Sequence, residues 1–251
     1  MADLPIPFSA PMVRALLREI EAPGTGKTQT RRALDLKGFV DSPQLRVAHC
    51  GGPRDFIMGA LAHAGQGDRF RTKYGVGDRL YVREHWRCSA KHDATAPRDL
   101  TPRSMTIAFE AGGSIANQDD RDDWRPSEVS YTDADWMGRF RQAMHMPRWA
   151  SRITLLVTEV RVERLQDCSR ADALAEGVEM ETADPPFYYV PGIWPHSLTA
   201  VGIEEPGGRW AERSYAKLWD QINGPGAWAA NPWVAAYTFR PILGNIDRIA
   251  A

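Results

Sequence analysis

The sequence has few cysteines, almost no net charge and no long apolar run. Its three cysteines, Cys50, Cys88 and Cys168, are far apart and form no C-x-x-C pair. We therefore expect no disulfide, and a reducing compartment suits these thiols. No segment approaches the roughly 18 consecutive apolar residues of a membrane span, and no signal peptide is recognisable at the N-terminus. The sequence thus predicts a cytoplasmic protein that does not contact a membrane.

Metal-ligand patterns are also lacking. His49–Cys50, His85 with Cys88, and the isolated His145 do not have the spacing of a zinc site. There is no signature of a Ser-His-Asp nucleophile either. We expect no metal and no other cofactor.

Charge is present but uneven. The formal net charge is −1, yet residues 1–54 hold eight Lys/Arg against five Asp/Glu, residues 92–135 four against ten, and residues 136–165 six against two. Two basic segments therefore flank an acidic one, which leaves room for local basic surfaces.

Hydrophobic periodicity predicts an α+β fold. Helical spacing occurs at Met12–Ile20, from the cap Ser169 to Glu176, and at Arg209–Asn223, while Leu80–Trp86, Met105–Glu110, Ile153–Leu165 and Trp233–Ile242 have strand character. This order predicts one domain over residues 1–251, a small mixed β-barrel with helices at its rim. Residues 89–135 and 180–208, rich in proline, glycine and acids or aromatics, are predicted to be long insertions.

The segment Gly24–Arg32 concentrates positive charge and hydroxyl groups in a short loop after the first helix. It contains Lys27, Thr28, Thr30, Arg31 and Arg32, which suit an anionic or carbonyl-bearing ligand. Gly-Lys-Thr also ends the phosphate-loop pattern. However, Glu21 stands where that pattern needs its first glycine, and a helix rather than a strand precedes it. These two departures from the pattern disfavour a nucleotide triphosphatase.

Two further segments hold candidate residues. On the strand Leu80–Trp86, Glu84 and Trp86 share the apolar face, and Arg83 is on the other. A carboxylate on an apolar face either pairs with an arginine or lines a pocket, and Trp86 is either a core residue or a base-stacking platform. Arg148, Trp149 and Arg152 combine guanidinium groups with an indole, which suits stacked bases and phosphates. The alternative is structural, with the arginines paired to acids such as Asp120 or Asp123.

Several phrases together resemble the ASCH-domain proteins, and most closely the longer members found in phages and prophages. They are Pro7–Arg14, Gly26–Arg32, Gly77–Glu84, His145–Arg152, Arg164–Asp167, Ala175–Gly177 and Asn231–Val234. The resemblance implies a PUA-like β-barrel related to RNA-holding domains, here in a bacterial host cytoplasm if a phage encodes it.

The resemblance also implies a chemistry. A small bacterial member of the family is an amidohydrolase that removes the acetyl group from cytidine acylated on its exocyclic amine. Lys27 and Thr30 fall on the lysine and threonine of its Lys-Thr-x-Thr motif, and its glutamate corresponds to Glu176 or, in another register, Glu179. Glu84 is a further candidate carboxylate.

Amide hydrolysis needs an activated water, a stabilised oxyanion and a proton for the leaving amine. Lysine is a base at neutral pH only if its pKa lies well below ~10.4, as burial or nearby cations would cause. We therefore expect Lys27 as base, Thr30 as the orienting group and a glutamate as its assistant. Substrate contacts are expected from Thr28, Arg31, Arg32, Arg83, Trp86, Arg148, Trp149 and Arg152. The partner is a nucleoside or RNA; a non-catalytic RNA- or modified-base-binding module and an endoribonuclease remain open.

Overall fold

The computed structural model describes residues 2–36, 42, 44–101, 105–117, 125–129, 131, 134–204 and 208–249. Within them the fold is mixed α+β and rich in sheet, which confirms the predicted class. The helices are α1 (Ala10–Glu21), α2 (Arg170–Ala175) and α3 (Trp210–Asn223). The strands are β1 (Asp3–Pro7), β2 (Gln29–Ala33), β3 (Arg46–His49), β4 (Asp55–Gly59), β5 (Asp68–Arg71), β6 (Arg79–Arg83), β7 (Trp86–Arg87), β8 (Met105–Phe109), β9 (Ser114–Asn117), β10 (Arg125–Ser127), β11 (Ile153–Arg164), β12 (Glu179–Glu181), β13 (Phe187–Tyr189), β14 (Val201–Gly202) and β15 (Trp233–Leu243).

The chain divides into two compact units. The Lys27 unit comprises Gly26–Asp78 and Val157–Arg240, and the Glu84 unit comprises Ala2–Thr25, Arg79–Leu156 and Pro241–Ala251. None of the helices in the described part of the chain has the length and hydrophobicity of a membrane span.

In the Lys27 unit, β2 runs antiparallel to β15, with Thr30 opposite Tyr237 and Gln29 opposite Thr238. Two three-stranded antiparallel sheets, β3-β4-β5 and β12-β13-β14, belong to the same unit. The second of these lies almost entirely within the predicted insertion 180–208, and Phe187, Tyr188 and Tyr189 form its central strand, β13. The helices α2 and α3 contact each other, and α2 also contacts β2.

In the Glu84 unit, β6 pairs in parallel with β1 and antiparallel with the first residues of β11. The helix α1 buries Met12, Val13 and Leu16, the positions that its apolar spacing predicts. The strand predicted over Leu80–Trp86 is interrupted: β6 ends at Arg83, and Trp86 exchanges backbone hydrogen bonds with Arg141. Trp86 thereby starts β7, in a second sheet of order β10-β9-β8-β7.

The predicted insertion 89–135 supplies part of a core. Met105, Ile107 and Ile115 on β8 and β9 alternate into one side of their sheet, as strand geometry requires. The buried cluster consists of Trp86, Cys88, Leu100, Met105, Ile107, Phe109, Ile115, Met146 and Ala150. The described part of this segment is therefore not peripheral.

The predicted closed barrel is not formed by the described residues. Each of their sheets is open, with two edge strands that do not pair with one another. One such edge is β1, which contains Pro5 and Pro7. Proline has no N–H to donate and therefore suits an edge position.

Candidate functional site

Lys27 is buried and bound to Glu176. Its side chain lies just before β2, and the residue is only 1% exposed. The ammonium Nζ donates to Oε2 of Glu176 at 2.6 Å and to the main-chain oxygen of Glu176 at 2.8 Å. Two oxygens of one residue, 149 positions away in sequence, thus hold this cation.

Arg31 extends the same cluster from β2. Its Nη1 donates to Gln29 Oε1 at 2.6 Å and to Glu176 Oε1 at 3.3 Å. Its Nη2 donates to Glu163 Oε1 at 2.7 Å and lies 3.2 Å from Asp172 Oδ2. Because strand residues alternate in direction, Gln29 and Arg31 point to one face of β2. Arg31 and Lys27 both contact Glu176.

The helix α2 positions two acids of the cluster, Asp172 and Glu176. Ser169 accepts from the N–H of Asp172 and Asp172 accepts from that of Ser169, a capping box that fixes the start of the helix. One turn later Glu176 ends it, and Gly177 follows with φ of +101°, a conformation that glycine adopts readily. The main-chain N–H of Thr28 donates to Ala175 O at 2.9 Å, which ties the loop to the end of α2.

The structure distinguishes between the two registers considered for the glutamate. Glu176 contacts Lys27, whereas Glu179 lies on β12, opposite Tyr189 of β13. Glu176 is therefore the glutamate brought to the lysine.

Burial and charge set the protonation of the cluster. Burial lowers the pKa of Lys27; Glu176 acts against this change, and Arg32 and Arg31 add to it. For Arg31, burial disfavours the charged form, but Glu176 leads the interactions that hold its pKa above the usual value. For Asp172, burial also disfavours the charged form and so acts to raise the pKa. Hydrogen bonds from Ser169, followed by the charge of Arg31, outweigh this effect and keep the pKa of Asp172 below the usual range.

Tyr215 is a member of the cluster that the sequence did not reveal. It lies on α3, is 3% exposed, and its hydroxyl is hydrogen-bonded to Glu176. Burial, with the nearby Glu176 charge, raises its pKa well above the ordinary value, so the hydroxyl remains a donor. Its helical spacing resembles that of a core residue, and no local signal separates the two roles.

The cluster becomes more accessible at β11. Arg161 donates to Glu163 at 3.1 Å and to Asp172 at 2.5 Å, and its side chain is 35% exposed, against 3% for Glu176. Among the described residues, Nε of Arg31 is buried without a hydrogen-bond partner. A buried donor of this kind calls for an explanation, and a ligand oxygen would satisfy it.

Thr30 and Arg32 of the same loop are placed differently. Thr30 lies between Gln29 and Arg31 and, by alternation along β2, points to the opposite face. Its cross-strand neighbour Tyr237 packs edge-on against Tyr74, with ring centroids 5.1 Å apart. Arg32, on that same face by alternation, is half-buried. The structure therefore brings Lys27, Arg31 and Glu176 together and directs Thr30 away from them.

Glu84 belongs to a separate ion pair in the Glu84 unit. Its two oxygens accept from Nε and Nη2 of Arg152, each at 2.9 Å. The Arg152 guanidinium also lies 3.9 Å from the centre of the Phe109 ring. Both partners are buried, so this is the internal pairing that the sequence left open. Trp86, 0% exposed, is a core residue.

The other predicted contacts lie in the same unit. Arg148 pairs with Asp3 and Asp247, at 2.6 and 2.5 Å; the acids considered for it, Asp120 and Asp123, lie outside the described residues. Trp149 packs against the buried cluster around Trp86. Arg83 donates to Met144 O at 3.0 Å and to the hydroxyl of Tyr81 at 3.1 Å.

No protein-family model matches the chain, and neither a curated protein nor a solved structure proved significantly similar to it.

Proposed function

We propose that the chain is an ASCH-like, PUA-related protein that recognises a nucleoside or RNA and hydrolyses the amide of cytidine acylated on its exocyclic amine. The observation that carries the proposal is the pairing of Lys27 with Glu176 at 2.6 Å. Two residues that the motif resemblance selects, far apart in sequence, meet in one buried cluster.

In the proposed reaction, the uncharged form of Lys27, in equilibrium with the ammonium that pairs with Glu176, takes a proton from water as the oxygen attacks the acyl carbonyl. Burial of Lys27 supports this role, because it favours the uncharged amine. When the carbon–nitrogen bond breaks, the proton passes to the exocyclic nitrogen, and the products are cytidine and a carboxylic acid. Glu176 stabilises the ammonium that exists between these two transfers.

The oxyanion needs donors that keep their protons. Two groups meet this requirement: the Tyr215 hydroxyl, and Arg31, whose pKa is raised and whose Nε has no hydrogen-bond partner among the described residues. We assign oxyanion stabilisation to these two groups. The orienting role predicted for Thr30 would have to act through the geometry of β2, since its side chain points away from Glu176.

The test is release of free cytidine from N4-acetylcytidine by the native chain and by Glu176→Gln and Lys27→Met. Lys27→Met should lower kcat by roughly 10²–10⁴-fold, the usual contribution of a proton-transfer group. Glu176→Gln should also lower kcat, because it removes the carboxylate that stabilises the ammonium. Glu179→Gln is the matched control and should retain activity, because Glu179 lies on β12. Full activity in folded Lys27→Met would overturn the mechanism, and circular dichroism checks the fold of each variant.

A non-catalytic binding module is the second candidate. The observation that favours it is the burial of both Lys27 and Glu176 behind their mutual contacts, which leaves the amine little access to water. This function predicts saturable nucleoside or RNA binding without turnover. Contacts to several RNA phosphates would make the affinity fall steeply with salt, whereas binding of an uncharged nucleoside would depend little on it.

A further inference from the structure

The Glu84 unit contains a groove that the Lys27 cluster does not use. Its volume is about 500 Å³, within the size range of small-molecule sites. Three of its lining side chains are basic: Arg83, Arg98 and His145. The lining contributed by the described residues includes no carboxylate, so the charge of this groove favours an anion.

Arg83 is held in place before any ligand arrives. Nη1 and Nη2 are fixed by Met144 O and by the Tyr81 hydroxyl, whose ring also lies 5.3 Å from the guanidinium carbon. Its Nε is buried and has no hydrogen-bond partner among the described residues. A guanidinium that is held in place in this way is suited to an incoming oxyanion.

Arg98 and His145 supply exposed, movable donors. The Arg98 side chain is 87% exposed, and its Nε lies 3.7 Å from the Asp99 carboxylate, in an ion pair that is longer than a hydrogen bond. His145 is also exposed. These two side chains can therefore adjust to a ligand held by Arg83.

The rest of the groove is mostly apolar. Its wall is formed by Ala96, Pro97, Met144, Met146 and Pro147. A single phosphate ion would leave most of such a groove unfilled, and a ligand with a flat apolar body would cover this wall. Methionine adapts its shape to such bodies, and guanidinium planes stack on bases.

We propose that this groove binds a mononucleotide, with its phosphate on Arg83, Arg98 and His145 and its base against the methionines and prolines. The described wall presents no amide or hydroxyl side chain to read base edges, so binding discriminates little between bases. The proposal does not rest on hydrolysis at Lys27, which lies in the other unit, and either can fail without the other.

The experiment is calorimetric titration of the full chain with CMP, AMP, cytidine and inorganic phosphate. CMP and AMP should bind with similar affinity. Cytidine, which lacks the phosphate, should bind at least about tenfold more weakly, since a charge-assisted contact is worth about one decade or more. Inorganic phosphate should also bind at least about tenfold more weakly, because it buries none of the apolar wall. The variant Arg98→Ala/His145→Ala should lose at least about tenfold in CMP affinity by the same measure.

The matched control is Lys91→Ala, which removes one exposed positive charge of the same unit away from the groove lining. It should leave CMP affinity unchanged. Equal losses in the control and the double variant, or none in the double variant, would overturn the proposal. So would inorganic phosphate binding as tightly as CMP, which would indicate a simple anion site.

Discussion

Nζ of Lys27 lies 2.6 Å from Oε2 of Glu176 and 2.8 Å from the main-chain oxygen of the same residue. The lysine thus binds both the side chain and the backbone at the end of α2. The contact joins the loop before β2 to the helix that carries the acids. It has structural consequences as well as the chemical ones proposed above.

The first prediction concerns stability. Removing one partner of a buried pair leaves the other charge uncompensated, which typically costs about 3–5 kcal/mol. Glu176→Gln and Lys27→Met should each lower the free energy of unfolding by about this much. Urea denaturation measures it. The double variant Lys27→Met/Glu176→Gln should be less destabilised than the sum of the two single variants, and simple additivity would show that the two residues are not coupled.

The second prediction concerns acid. The pKa of Asp172 is lower in the folded chain than its usual value, chiefly because the hydrogen bonds from Ser169 outweigh the effect of burial. The unfolded chain therefore takes up this proton first as the pH falls. The stability that Asp172 contributes is complete above its unfolded pKa of about 3.9 and is lost progressively below it.

Denaturation at several pH values between neutrality and pH 3 tests this sign. The difference in unfolding free energy between the native chain and Asp172→Asn should be largest near neutral pH and shrink below about pH 4. A difference that grows on acidification would contradict the assigned direction.

The sequence revealed the Lys27–Glu176 site through local signals. The basic loop stands out by composition, and the cap Ser169 with Gly177 outlines a short helix that ends at Glu176. The resemblance to ASCH proteins joined the two segments. The sequence did not identify Tyr215 as a member of this cluster, because the spacing of α3 assigns it to an apolar face. No local signal shows that this face contacts Glu176.

Other features of the fold depend on contacts between residues far apart in sequence, which hydrophobic periodicity does not reveal. The strand prediction for Leu80–Trp86 is correct from Leu80 to Arg83 and again at Trp86, but Glu84 and His85 lie outside the strands. Trp86 belongs to β7 rather than β6, because its backbone pairs with that of Arg141, 55 positions later. The acidic composition of 89–135 suggested a surface insertion. A few apolar residues of this segment, such as Ile107, are nevertheless buried in a core cluster. The choice between structural and functional roles for Glu84 rested on Arg152, whose distance from it no pattern specifies.

The third prediction concerns the thiols. Burial raises the pKa of Cys168 to about 12 and also raises that of Cys88, and both residues are buried, whereas Cys50 is partly exposed. The thiolate is the reactive form. A thiol reagent such as DTNB should therefore label one cysteine, Cys50, quickly in the native chain, and all three after unfolding in guanidinium. Rapid labelling of two or more in the native chain would contradict the burial described here.

The last prediction concerns Glu84 and Arg152. Their bidentate pair, each contact 2.9 Å long, is buried beside Phe109, so Glu84→Gln should destabilise the chain by about 3–5 kcal/mol through the uncompensated arginine. Replacing both residues by apolar ones, as in Glu84→Leu/Arg152→Met, removes both buried charges and should recover much of this loss. Thermal and urea unfolding of Glu84→Gln, of Glu84→Leu, of Arg152→Met and of the double variant give the comparison. A double variant as unstable as the sum of Glu84→Leu and Arg152→Met alone would show that the two residues are not coupled and would contradict the prediction.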